Sequence, residues 1–239
     1  MVKKLAVIYF GLLRSYDKVY KSHLNNIFDI LSENNIEFKI FLHTWKTIDD
    51  TQRVWEKTIK KKQNYEQINL MNAYKKKIDN QNDFETKINF NNYFYKDIYN
   101  SIGHSKKGEW LPSLIMNHLC ALESQKRCFE MVKKDAIDFD YVMVLRPDVL
   151  IMNKFPINKL KLLKENEILI PNFAHNEGVN DRFAVMNYKY AKYYIDRIHE
   201  LANYRKKYGR IVSEKYTKYI VNKYFKIKLI QFNFDMIRP

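Results

Sequence analysis

Apolar residues recur along most of this chain in short groups, but in two places five or more run without interruption. Leu5-Ala6-Val7-Ile8-Tyr9-Phe10 lies near the start and Tyr141-Val142-Met143-Val144-Leu145 past the middle. Short apolar runs bounded by glycine or charge read as strands buried on both faces, the kind found inside parallel sheets. The first run is followed by Gly11-Leu12-Leu13-Arg14-Ser15. Ser15 or Asp17 can cap a helix there, and its apolar positions Val19, Leu24, Ile27, Phe28 and Leu31 keep a helical period until Asn34-Asn35 breaks it. Phe38 to Leu42 gives a second strand, ending in His43-Thr44-Trp45. Strand, helix and strand within the first 45 residues form a βαβ unit. Such a unit pairs its strands in parallel with a right-handed crossover, so both end on one edge.

The second run stops on Arg146-Pro147-Asp148. Pro147 has no amide hydrogen to give to a sheet and pushes Arg146 into an extended conformation, so the strand ends or bulges there and exposes two opposite charges. Before it, a loop from Gly103 to Gly108 leads into the longest predicted helix, Leu111 to Lys134. Leu111, Leu114, Ile115, Leu119, Leu122, Phe129 and Val132 supply its buried stripe, while Asn117, Ser124 and Arg127 point another way. After it come a short strand Val149 to Ile151, a helical turn from Pro156 through Leu163, and a strand from Glu167 to Pro171. The stretch from Asn172 to Arg182 is dense in polar groups, and Phe183 to Met186 returns to the core. Tyr188 to Tyr204 and Ser213 to Tyr224 read as helices and Lys226 to Phe234 as a last strand. Residues 49–99 are polar, rich in lysine and asparagine and weakly periodic, although Ile68, Leu70, Met71, Tyr74 and Ile78 can line a helix; they read as a variable insert. The element order predicts an α/β fold, a mostly parallel mixed sheet flanked by helices.

Composition refines this picture. Only 5 glycines and 5 prolines leave no evident linker, which favours one domain over residues 1–239. The formal net charge of +15 suggests an anionic partner. Lysine, asparagine, isoleucine and tyrosine are abundant together, as an AT-rich genome imposes, so part of the lysine excess reflects codon supply. Cys120 and Cys128 match no zinc spacing and lie too far apart on one helix to bridge, which points to a reducing compartment. With no apolar run of spanning length and no signal-peptide core, the expected location is cytoplasmic, with peripheral contact to anionic lipid left open.

Three strand ends carry complementary polar groups. Gly11 and Arg14 can approach and neutralise a phosphate, His43-Thr44-Trp45 offer hydrogen bonds and a stacking surface beside Phe10, and Asp148 can hold a divalent cation. In open α/β sheets ligands sit outside the carboxyl ends of the strands. The set suits a nucleoside diphosphate.

Together with the Gly-x-x-Arg after the first strand, the Phe-x-His-Thr-Trp at 41–45, the Leu145-Arg146-Pro147-Asp148 element and a later Asn180-Asp181-Arg182-Phe183 give a resemblance. The chain resembles nucleotide-sugar glycosyltransferases of the GT-A (Rossmann-like) fold, those of bacterial surface-polysaccharide clusters and large DNA viruses, over nearly its whole length outside 49–99. The resemblance implies hexosyl or deoxyhexosyl transfer from a nucleoside-diphosphate sugar, with a uridine diphosphate donor, to a hydroxyl of a glycan acceptor. It puts Phe10, Gly11, Arg14, His43, Thr44, Trp45, Ser124 and Arg146 on the donor side. In such enzymes an Asp-x-Asp element holds Mn²⁺ or Mg²⁺; here Arg146 occupies its first position and only Asp148 matches, so His175, Asp181 or Glu177 would have to complete the shell. Asp181 is the implied base for inversion, with His175 or Glu177 as alternatives and Glu214 read as a helix N-terminal residue. Inversion or retention is left open. Two other readings compete: a nucleic-acid or anionic-surface binding protein, for which no nucleic-acid motif is present, and a nucleotidyltransferase, which would want a phosphate loop richer in glycine than Gly11 to Arg14.

Overall fold

A computed structural model of the chain describes residues 2–48, 52–54, 57–59, 62–94 and 112–237. The first apolar run forms β1 (Lys3–Phe10), solvent-free from Leu5 to Tyr9. The chain then turns into α1 (Tyr16–His23), which passes through a π-type turn (Leu24–Phe28) into α2 (Asp29–Glu33). Ser15 occupies the cap position without a side-chain capping bond. The following β2 (Ile36–Lys46) runs parallel to β1 with Phe10 beside His43, as the βαβ pattern requires. It does not stop at Leu42: His43, Thr44 and Trp45 lie inside the strand.

In the insert, β3 (Gln52–Val54) and β4 (Lys57–Ile59) make a small antiparallel hairpin. The helix expected across Ile68 to Ile78 is a 3₁₀ turn (Tyr65–Met71) followed by β5 (Lys75–Asn80), parallel to β2. An outermost strand buries little of either face, so it carries no apolar run to announce it. Next come α3 (Gln81–Glu85) and the long helix α4 (Pro112–Lys133). Leu111, the Gly103 to Gly108 loop, Lys60 and Lys61 lie outside the described residues.

The second apolar run is β6 (Tyr141–Leu145), parallel to β1 on the side away from β2, and β7 (Val149–Ile151) follows it. The turn after Pro156 becomes α5 (Ile157–Lys161), then β8 (Glu167–Pro171) and β9 (Phe183–Asn187). The helix expected over Tyr188 to Tyr204 is broken by a 3₁₀ segment (Asp196–Glu200) into α6 (Tyr188–Ile195) and α7 (Leu201–Tyr208). Then come α8 (Ser213–Tyr224) and β10 (Lys226–Ile230), and the last strand is a separate β11 (Phe234–Met236) paired with β7. The main sheet has seven strands in the order β10-β8-β9-β6-β1-β2-β5, with β9 alone antiparallel to its neighbours. The α/β expectation is met.

Alternate residues of β1 point to opposite faces, as a period of two demands. Leu5, Val7 and Tyr9 pack with Val19, Ile27 and Leu31 of the crossover. Ala6, Ile8 and Phe10 pack with Phe129 and Val132 of α4, Tyr194 of α6 and Val221 of α8. Both outer strands carry lysine: Lys75, Lys76 and Lys77 in β5, Lys226 and Lys228 in β10. The thiols of Cys120 and Cys128 are both buried. No helix among the described residues is long and apolar enough to cross a membrane.

Candidate functional site

The central strands β1 and β6 stop side by side, and a cavity of about 240 Å³ opens beyond their carboxyl ends. Phe10, Gly11, Arg14, Trp45, Arg146, Asp148 and Asp181 are part of its wall. Gly11 ends β1 at φ 83°, a conformation that costs glycine nothing. Three residues on, Arg14 sits at φ 52°, which is uncommon for a residue with a side chain and turns the loop sharply at the cavity.

Asp148, 1% exposed, is gripped by two guanidiniums. Arg146 donates from Nε to Oδ1 at 2.8 Å and from Nη2 to Oδ2 at 2.6 Å, and Arg14 donates from Nη1 to Oδ2 at 2.8 Å. Burial opposes ionisation of this carboxyl, but the charges and hydrogen bonds of Arg146 and Arg14 outweigh it and hold its pKa well below the carboxylate range. Residues around Asp148 do not fit a divalent cation. Both of its oxygens already accept from permanent cations, and among the described residues no group of three or more His, Cys, Asp and Glu side chains is placed to hold a metal ion.

His43, Thr44 and Ser124 lie beneath the cavity and not on its wall, each fully buried. His43 and Ser124 make internal hydrogen bonds, whereas the Thr44 hydroxyl has no hydrogen-bond partner among the described residues. Ser124 Oγ accepts the Gly11 N–H at 2.8 Å, lies 2.8 Å from His43 Nδ1, and is 3.0 Å from the His43 carbonyl. It ties the loop after β1 to the end of β2. Burial lowers the His43 pKa to about 4, against Asp79 on its other nitrogen, so the ring is neutral near pH 7. A neutral ring facing a carboxylate presents its N–H at Nε2, which leaves Nδ1 and the His43 carbonyl to share the single hydroxyl hydrogen of Ser124. Trp45 reaches the cavity, but its indole N–H donates to the Cys120 carbonyl at 3.0 Å and its ring stacks on Phe84, which makes it a fixed wall.

Asp181 arrives from the loop before β9, with its side chain 19% exposed. Burial opposes its ionisation, yet Arg182, His118, a Ser213 hydrogen bond and Arg146 together lower its pKa. His118, from α4, is itself brought down to about 4 by burial and is neutral near pH 7, so Arg182, 3.9 Å away, and Arg146 are the charges that act on Asp181 there. His175 does not reach the cavity wall; its Nδ1 accepts the Asn180 N–H at 3.2 Å. Glu177 points to solvent, 79% exposed and paired with Lys215.

Glu214 does more than begin a helix. It lines the cavity and accepts from Asn176 Nδ2 at 2.8 Å, Ser213 Oγ at 2.9 Å and Arg182 Nη2 at 3.3 Å, pinning the loop that carries Asp181 to the start of α8. Gly178 permits this closeness, since a Cβ there would overlap the Glu214 carbonyl and the Lys215 amide. Gly178→Ala is therefore expected to cost about 1–3 kcal/mol through overpacking against backbone, read as a shift of the urea midpoint with unchanged slope. Arg182 of the Asn-Asp-Arg-Phe element also lines the cavity, together with His118, Gln125, Arg197 and Ser213, for which the sequence offers no site signal taken up above. For α4 the signal was the seven-residue spacing of His118 and Gln125, two turns apart on one face of an otherwise apolar stripe.

No family model matches the sequence, and no curated protein matches it either. Among solved structures the chain is similar to the glycosyltransferase GlyE of Streptococcus pneumoniae TIGR4, with 15% identity, 97% of this chain and 46% of that one covered, and a TM-score of 0.42. It is also similar to the galactosyltransferase LgtC in complex with donor and acceptor sugar analogues, with 9% identity, 95% of this chain and 72% of that one covered, and a TM-score of 0.44. The chain spans less than half the length of the first.

Proposed function

We propose that this chain is a glycosyltransferase that moves a sugar from a uridine-diphosphate donor to a glycan hydroxyl, with inversion. What carries the reading is one arrangement: two guanidiniums, Arg14 and Arg146, at the carboxyl ends of neighbouring parallel strands, sharing a cavity with the ionised carboxylate Asp181. Cations at strand ends suit a diphosphate, and a carboxylate in the same cavity suits a proton acceptor. The Gly-x-x-Arg, Arg-Pro-Asp and Asn-Asp-Arg-Phe elements that resemble the GT-A enzymes all fall on or next to this cavity.

The chemistry balances within the cavity. The acceptor oxygen bonds to the anomeric carbon as the bond from that carbon to the donor phosphate oxygen breaks, its electron pair leaving with the diphosphate. The acceptor proton passes to the Asp181 carboxylate. Trp45 and Phe10 supply apolar wall beside the nucleotide, and the Ser124 clamp fixes the Gly11 to Arg14 loop against which the phosphates sit.

A thermal-shift comparison of UDP, GDP, CDP and ADP tests this. Binding to the folded state at about a hundred times Kd stabilises by about 2.7 kcal/mol, which for a chain of this size raises the midpoint by several degrees. UDP is expected to give the largest rise, and no rise with any of the four removes the nucleotide-sugar reading.

A further inference from the structure

We propose that the Arg14–Asp148–Arg146 cluster neutralises the leaving diphosphate in place of a divalent cation, so that donor binding needs no metal. This rests on the nucleotide-sugar reading above.

The argument begins with charge. Where the resembling enzymes carry an acid at the first position of Asp-x-Asp, this chain carries Arg146. The exchange removes one negative charge and adds one positive, a change of two units at a single place, which equals the charge of the cation that the acid would have held. Asp148 is then left as a counter-ion. With Arg14 and Arg146 bonded to its two oxygens, the cluster carries a net charge of +1. A dication placed there would meet repulsion and find no free carboxylate oxygen, whereas a diphosphate would meet attraction.

Orientation supports the same end. Arg146 presents its Nε/Nη2 edge to Asp148 in the two-point arrangement that guanidinium and carboxylate prefer, which fixes the plane of the group. The Arg146 side chain is 23% exposed and lines the cavity, so a fixed, part-open guanidinium faces the ligand space. The wider wall agrees in sign. It contains four arginines, Arg14, Arg146, Arg182 and Arg197, against three carboxylates, Asp148, Asp181 and Glu214. Arg197, 2% exposed, is bonded to Gln125 and the Tyr194 carbonyl and, among the described residues, not to a carboxylate. A buried positive excess is costly until an anion compensates it.

Calorimetry with UDP as the probe, on the whole chain, tests the proposal. Titrations are made in EDTA and again in millimolar Mn²⁺, then repeated with Arg146→Gln after its melting temperature has been checked. The expected result is a wild-type Kd that differs by no more than threefold between the two conditions, and an Arg146→Gln protein that binds at least about tenfold more weakly in both, the scale of a lost charge-assisted hydrogen bond. Tightening of wild-type binding by Mn²⁺ beyond threefold overturns the proposal while sustaining the nucleotide-sugar reading, and so does Arg146→Gln binding with wild-type affinity. Should the variant fail to fold, the wild-type pair of titrations still decides the question. Absence of UDP binding in both conditions defeats the nucleotide-sugar reading and this proposal with it.

Discussion

Asp181→Asn is expected to slow turnover by roughly a hundred- to ten-thousand-fold while leaving UDP affinity nearly unchanged, because a base that takes the acceptor proton matters only in the transition state. Asp181 is suited to the role by position: it shares the cavity with Arg14 and Arg146, and Glu214 pins its loop through Asn176 and Arg182. Its lowered pKa sets the pH behaviour. A carboxyl whose pKa lies below the ordinary value near 3.9 stays ionised throughout the neutral range, so no loss of rate from protonating Asp181 is expected until the pH falls below about 4. Turnover with saturating donor and acceptor, paired with calorimetry of UDP, separates the possibilities. A parallel fall of affinity and turnover would make Asp181 a ligand of the donor or of a metal held with its diphosphate, and would pass the role of base to His175 or Glu177. Proton NMR coupling constants showing a product of retained configuration would end the inverting-base role whatever the kinetics.

Asp148→Ala is expected to destabilise the fold by about 3–5 kcal/mol, the cost of removing one partner from a buried ion pair and leaving the other charge uncompensated. Here two guanidiniums would be left facing each other at the ends of β1 and β6. The sign of the pH dependence follows from the depressed pKa of Asp148. A carboxyl with a folded pKa below its unfolded one contributes stability that is complete above the unfolded value, near 3.9, and is lost as the pH falls through the folded value. Wild-type protein should therefore lose this contribution as the pH is lowered below about 4, and the Ala variant, lacking it throughout, should show a shallower acid limb. Urea unfolding at pH 7 and between pH 5 and 2 measures both. A wild-type and variant difference under about 1 kcal/mol at pH 7 would reduce the cluster to surface-like pairing.

The readable parts of this chain are those where a residue's neighbours along the sequence are also its neighbours in the fold. Leu5 to Phe10 and Tyr141 to Leu145 announce strands because both faces of each are covered, and the charges at Arg146 and Asp148 announce the strand end because Pro147 forces it. The placement of His43-Thr44-Trp45 is not legible for the converse reason. Polar residues after an apolar run suggest an exposed end, but His43 is satisfied by Ser124, 81 residues away, and Trp45 by the Cys120 carbonyl, 75 residues away, so β2 continues inward. Such partners leave no local trace. β5 was hidden differently: an outermost strand needs no apolar alternation, and its lysines resemble a solvated loop. Glu214 reads as a helix N-terminal residue until Gly178 brings the polar loop against it, a contact made only by tertiary packing.

The lysines of the two outer strands bear on how molecules of this protein behave toward one another. Among the described residues the seven-stranded sheet ends at β5 and β10, each with a row of backbone groups able to accept a further strand. Lys76 in β5 and Lys226 and Lys228 in β10 are exposed there, so two copies approaching edge to edge bring like charges together before any backbone bond forms. Part of the excess positive charge thus works as a spacer between molecules and is not available as a measure of affinity for anions. That spacer is electrostatic and shortens as salt is added, from a Debye length of about 10 Å at 0.1 M to about 3 Å at 1 M. Concentrated brine is accordingly the condition in which these edges would come closest to recruiting one another.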